Sequence, residues 1–141
     1  MFERFTDGAR LLVLGATDVT VAGDNATGAE HLLWAAFAAE PANPAVAALL
    51  QAGITKDKVL ASDRTATLRP AHVRPRLPFT DEGKAATNQT VVEAQAVGAD
   101  RVGVEHFVLA LLSISDTSRR LVRSGGADPD GIRGQIRSTI S

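Results

Sequence analysis

Phe5-Thr6-Asp7 and Gly28-Ala29-Glu30-His31 return downstream as Phe79-Thr80-Asp81 and Gly103-Val104-Glu105-His106, at offsets of 74 and 75 residues. A third match follows in the same order, Ala48-Leu49-Leu50-Gln51-Ala52-Gly53 against Arg120-Leu121-Val122-Arg123-Ser124-Gly125. Three ordered matches at nearly constant spacing read as one structural unit written twice. Unit one takes residues 1–61, unit two residues 79–141, and residues 62–78 join them.

Inside each unit the helix signals recur. Thr6 and Thr80 are placed to cap a first helix, a hydroxyl oxygen accepting from a first-turn N–H, and that helix runs to about Gly23 or Gly98. A second helix opens near Gly28 or Gly103. Its apolar density, Leu32, Leu33 and Ala36 in one copy and Phe107, Leu109, Ala110 and Leu111 in the other, marks it as a central core helix, and Trp34 falls in that core. Asn43-Pro44 is an N-cap followed by proline at the first helical position, with Asp116 as the counterpart cap. These third helices stop at Gly53 and Gly125-Gly126, and fourth helices begin at Thr55 and at Asp128-Pro129. Phe5 and Phe79, each just before its cap, read as hydrophobic staples. The expected fold is all-α, a pseudo-twofold bundle of eight helices built from two four-helix repeats.

The joining segment carries Pro70, Pro75 and Pro78 with Arg64, Arg69, Arg74 and Arg76 and has no helical period. It reads as a solvated connector, the alternative being a basic patch that touches a partner.

Composition closes off several classes of function. Fifteen basic residues against sixteen acidic ones supply no electrostatic drive toward nucleic acid. Without cysteine there is no disulfide, thiolate metal site or cysteine nucleophile. The charged opening does not resemble a secretory signal, and no run approaches the ~18 apolar residues that would span a bilayer, so the expected location is cytoplasmic, away from membranes. Gly83-Lys84 lacks the rest of a phosphate-binding loop. No nucleophile, base and orienting group can be assembled, so neither an enzyme nor a cofactor is expected. His31 and His106 follow the two glutamates, yet neither has the converging ligands a metal needs; both read as packed, hydrogen-bonded structural histidines.

The doubled Phe-Thr and Gly-x-Glu-His pattern resembles the Clp N-terminal repeat domain over essentially the whole chain, and Phe2-Glu3-Arg4-Phe5-Thr6-Asp7 is similar to the opening of actinobacterial ClpC. The resemblance implies a module at the front of an AAA+ unfoldase that receives protein substrates and adaptors for a protease. No motor motif is present, which leaves an excised domain or a stand-alone paralogue; Ala86-Thr87-Asn88-Gln89-Thr90 and Ser113-Ile114-Ser115-Asp116-Thr117, where the family is usually charged and glycine-rich, favour the paralogue. The family also implies a phosphoarginine site in each repeat, here Thr6 with Glu30 and Thr80 with Glu105. A carboxylate would grip the guanidinium, while helix N-terminal N–H groups and a hydroxyl would donate to the phosphoryl oxygens. Ala29 and Val104 stand where the family usually carries threonine, which removes one hydroxyl from each site. The plainer reading of Glu30 and Glu105 is a first-turn carboxylate facing the helix dipole, worth ~0.3–1 kcal/mol. A second implied surface, for cyclic-peptide antibiotics, gathers Phe2, Arg10, Phe79 and Lys84. The function expected is non-catalytic recognition in the Clp protease system, of substrates including arginine-phosphorylated ones, of adaptors or of cyclic peptides, with a role as a decoy for ClpC. The alternative is a regulatory partner that docks on ClpC itself and has no small-ligand site.

Overall fold

Two helices with hardly a polar side chain form the centre of the molecule, α2 (Ala29–Ala39) and α6 (Val104–Ile114). A helix that is apolar nearly all round can only be stable when surrounded. In the computed structural model, which describes residues 4–17, 19–21, 28–61, 66–68 and 79–140, they pack against each other. Around them stand α1 (Asp7–Thr17), α3 (Pro44–Gln51), α4 (Lys56–Ala61), α5 (Asp81–Ala96), α7 (Asp116–Ser124) and α8 (Pro129–Ile140). Helix α1 covers α2 and α5 covers α6. The third helices cross over: α3 lies on α6 and α8, while α7 reaches α2. Neither half closes its core alone. The fold is an all-α bundle apart from one short two-stranded sheet, and no single helix among the described residues is long and apolar enough to cross a membrane.

Phe5 departs from the staple expectation. Its ring is buried and stands edge-on to Phe107 on α6, with centroids 5.6 Å apart and planes at 84°, a favoured aromatic geometry. The backbone beside it pairs in parallel with the residues leading into α6: Thr6 N–H donates to Val102 O at 2.9 Å and Val102 N–H to Arg4 O at 2.8 Å. The fourth helical position of α1, where a staple partner would sit, is the exposed Arg10. The apolar partner therefore comes from the other half of the chain.

Several helix boundaries fall as expected. Asn43 Oδ1 accepts from Ala45 N–H at 2.9 Å with Pro44 at the first position, and Thr80 Oγ1 accepts from Gly83 N–H at 3.1 Å. Thr55 and Asp128 precede α4 and α8, and Gly98 ends α5 with φ +72°. Two boundaries and one residue match differ. Helix α1 stops at Thr17, well short of Gly23, because Val19-Thr20-Val21 is a β-branched run that prefers extended backbone. It forms β1 (Val19–Val21), antiparallel to β2 (Ala66–Leu68) with Thr20 opposite Thr67, so part of the expected connector is a strand. The cap of α7 is Ser115, with Asp116 one position inside. A hydroxyl can accept from Ser118 N–H at 3.1 Å and donate to Glu82 at 2.7 Å together, which an ionised aspartate cannot do. Finally, the left-handed glycine that ends α7 is Gly126 (φ +87°), the true counterpart of Gly53 (φ +85°), so the third sequence match is one residue out of step.

Phe5→Ala removes a buried ring that ties the halves together and should lower unfolding free energy by about 3–5 kcal/mol in urea denaturation. The exposed Leu11→Ala should stay within about 0.5 kcal/mol. Ser118 is buried, and its hydroxyl has no hydrogen-bond partner among the described residues. Ser118→Ala removes that orphaned group and favours the helix, so the same assay should show about 1 kcal/mol of stabilisation.

Candidate functional site

The two central helices begin identically. Gly28 and Gly103 precede them in extended backbone, and the N–H of each donates to the Nδ1 of the histidine three residues on, 2.8 Å away in both cases. Because a backbone N–H can only donate, Nδ1 must carry its lone pair and the imidazole must be neutral. This is half of a capping box, with histidine in the place usually held by glutamate or glutamine. His31 and His106 are thus packed, hydrogen-bonded structural residues. Burial pushes the His106 pKa below its ordinary value of 6.5, against the opposing charges of Glu105 and Glu93.

Glu30 and Glu105 sit between glycine and histidine and remain half-buried at the surface. Each carboxylate folds back over its own cap glycine, where an added methyl group would collide with it. Glu30 Oε1 lies 3.5 Å from His31 Nδ1. Glu105 Oε1 is reached by Asn43 Nδ2 at 3.4 Å, and the same nitrogen donates to Glu40 Oε1 at 2.9 Å. Glu40 in turn lies against Gly8 in the first turn of α1, at a distance only a glycine allows. The surroundings of Glu105 are therefore supplied by the first half of the chain.

Thr6 caps α1, its Oγ1 accepting from Ala9 N–H at 3.1 Å, while its backbone is tied to Val102. That pairing sets Thr6 beside the approach to α6, which carries Glu105. Thr80 caps α5 in the corresponding way. Arg10 and Lys84 are exposed one turn into α1 and α5, Arg10 standing 3.9 Å from Asp7, and Phe79 is half-buried against the core. Phe2 lies outside the described residues.

Two features were missed in the sequence. Leu11 and Leu14 on α1 are 56% and 45% exposed. They stand off the stripe formed by Ala9, Leu12 and Ala16, which is the signal that could have separated them. The other is Glu82, which clamps the start of α7: Ser115 Oγ, Thr117 N–H and Thr117 Oγ1 donate to its carboxylate at 2.7, 3.0 and 2.9 Å. Burial alone would raise the Glu82 pKa; these donors and the Arg120 charge outweigh it and hold the carboxyl below its ordinary value. Among the described residues no three histidine, aspartate or glutamate side chains converge as a metal site.

The His106 cap sets a pH dependence. Because the folded pKa of His106 is lowered, its contribution is complete above pH 6.5 and is lost as pH falls toward the folded value. Melting temperature should therefore decline below pH 6.5, before the carboxylates titrate. His106→Gln, whose amide oxygen can accept the same N–H without titrating, should flatten that decline.

A protein-family model described as the Clp repeat (R) N-terminal domain matches residues 4–125. Over 139 residues the chain is 31% identical to "Chaperone protein ClpC1, chloroplastic" of Oryza sativa subsp. japonica, covering 96% of this chain and 15% of that protein. It is 36% identical over 128 residues to "Uncharacterized protein Mb2686" of Mycobacterium bovis, covering 88% of this chain and 49% of that one. The chain thus spans about a seventh of the length of the chloroplast relatives. In structure it is similar to the N-terminal domain of the chaperone ClpD from Arabidopsis thaliana, with a TM-score of 0.74, 18% identity and coverage of 99% and 96%. The Hsp104 N-terminal domain from Candida albicans gives the same TM-score at 17% identity, with coverage of 95% and 89%. A doubled helical unit with matching caps, a bundle shared with these N-terminal domains and a family match across most of its length lead to one assignment: the chain belongs to the Clp repeat N-terminal domain family.

Proposed function

We propose that this is a non-catalytic recognition domain of a Clp-type protease system, acting in the cytoplasm on protein substrates and adaptors, arginine-phosphorylated segments among them. The supporting observation is the state of Glu30 and Glu105. Each is a half-exposed carboxylate at the N-terminus of a rigid, buried helix, and neither is paired with lysine or arginine among the described residues. A guanidinium is the natural counter-ion for such a group, and a phosphoryl group carried on it would find the positive end of the helix nearby. With repeats at 1–61 and 79–141 joined by 62–78, each repeat contributes one threonine and one glutamate, Thr6 and Glu30 from the first and Thr80 and Glu105 from the second. Ala29 and Val104 offer no hydroxyl there, so phosphate is held less firmly than the guanidinium.

Titration calorimetry with phosphoarginine and with free arginine tests this. Glu30→Gln and Glu105→Gln should each remove one site, and the double variant should lose binding by more than about tenfold, a change of about 1.4 kcal/mol. Absence of saturable binding to the unaltered domain would reject the ligand. A second reading is favoured by the exposed Leu11 and Leu14, with Arg10 on the same face of α1 and Lys84 on α5: a surface for cyclic-peptide antibiotics. Binding there should survive the double glutamate variant and weaken in Leu14→Asp. If both classes of ligand are silent, the regulatory docking partner of an unfoldase is the better description.

A further inference from the structure

Helix α7 carries two features that the recognition site does not use. The first is a groove of about 350 Å3 along one flank, lined by Thr117, Arg120, Leu121 and Ser124. Steps of three and four residues place these side chains in one stripe. The second is exposed positive charge. Arg119 is held by Asp130 at 2.9 Å and Arg133 by Glu93 at 2.7 Å, whereas Arg120 and Arg123 are exposed and form no ion pair among the described residues. The corresponding helix of the first repeat, α3, contains no charged residue at all.

The groove has a structural origin. In the first repeat the flank of α3 is covered by the twelve residues of α8, with Gln135 Nε2 donating to Gln51 Oε1 at 3.1 Å. The pseudo-twofold relation would give α4 the same task beside α7, and α4 has six residues.

The chemistry of the lining narrows the occupant. Ser124 Oγ donates to Leu121 O at 2.8 Å and Thr117 Oγ1 to Glu82 at 2.9 Å, so both hydroxyl hydrogens are engaged and both oxygens are left as acceptors. The outward donor in the lining is the Arg120 guanidinium, with exposed Arg123 beside the groove on the same helix, and the half-buried Leu121 forms an apolar floor. Carboxylates suit the arginines, backbone N–H groups suit the hydroxyl oxygens, and an apolar side chain suits the floor. A bare anion would use only the first of these. Nucleic acid would need more cations than two and a stacking platform.

We propose that this flank of α7 is a docking groove for an acidic peptide segment of a partner protein, one that offers carboxylates to Arg120 and Arg123 and an apolar side chain to Leu121. The proposal is independent of Glu30 and Glu105.

The test is fluorescence anisotropy with a short fluorescein-labelled peptide alternating glutamate and leucine, with a lysine–leucine peptide as the charge control. Saturable binding of the acidic peptide alone, weakening as salt rises, is expected. Arg120→Glu/Arg123→Glu should weaken it by at least about tenfold, and Leu121→Ala should also weaken it, while Glu30→Gln/Glu105→Gln leaves it unchanged. Both arginines are exposed, so unchanged melting curves will show that the double variant folds. Amide shifts in NMR should concentrate at Thr117, Leu121 and Ser124. No binding at low salt, equal binding by the charge-reversed variant, or loss in the glutamate variant would overturn the assignment.

Discussion

The contact of Phe5 with Phe107 and the short parallel pairing of Arg4–Thr6 with Val102 set the terms for the rest of the molecule. They fasten the start of the first repeat to the start of the second repeat's central helix. The same exchange recurs in the third helices, with α3 on α6 and α7 on α2. One repeat alone would leave an apolar helix open to water, and a chain of this size has little stability to spare for that. The two copies therefore share one core, with Thr6 and Glu105 beside the contacts that join them.

At the start of each central helix glycine, glutamate and histidine perform separable tasks within four residues. Glycine leaves room for the carboxylate to fold over it. Histidine takes the glycine N–H and goes into the core. Glutamate, freed from capping duty by the histidine, keeps its charge half-exposed at a helix N-terminus. In an ordinary capping box the third residue is the acidic one and its carboxylate is consumed by the backbone. Moving that work to a neutral imidazole leaves a carboxylate available for a ligand. The same arrangement explains why an exposed glutamate and a buried histidine recur together, since each occupies the place the other vacates.

Helix order, the caps Asn43 and Thr80, the central helices and the structural histidines were legible in the sequence because each depends on local chemistry or on a strong apolar pattern. What escaped was long-range. Nothing near Phe5 indicates that its partner is 102 residues away, and Val19–Val21 reads as helix until Ala66–Leu68 is available to pair with it. Ser115 outranks Asp116 as a cap only once Glu82, on another helix, needs a donor. The one-residue slip between Gly125 and Gly126 arose because both are glycines, and only backbone geometry distinguishes the left-handed one. The candidate glutamates and threonines could be named from the repeated motif; the tie of Thr6 to Val102 could not, because it joins the two repeats.

Duplication also explains why the halves have diverged. The second repeat is cross-braced by polar contacts, Glu82 to Ser115 and Thr117, Glu93 to Arg133 and Arg119 to Asp130. The buried Glu93–Arg133 pair is further satisfied by Gln89 and by the Leu109 carbonyl. Such a pair is tolerated only when its remaining hydrogen-bonding capacity is met. In the first repeat α3 is wholly uncharged and packs through Ala45, Val46, Ala48 and Leu49. Two halves under the same packing constraint at their centre have reached different solutions at their third helices, one apolar and covered by α8, the other charged and cross-linked to its neighbours. Because the shared core rests on the central helices and the Phe5 contact, the outer face of α7 was free to change its chemistry without loss of the fold.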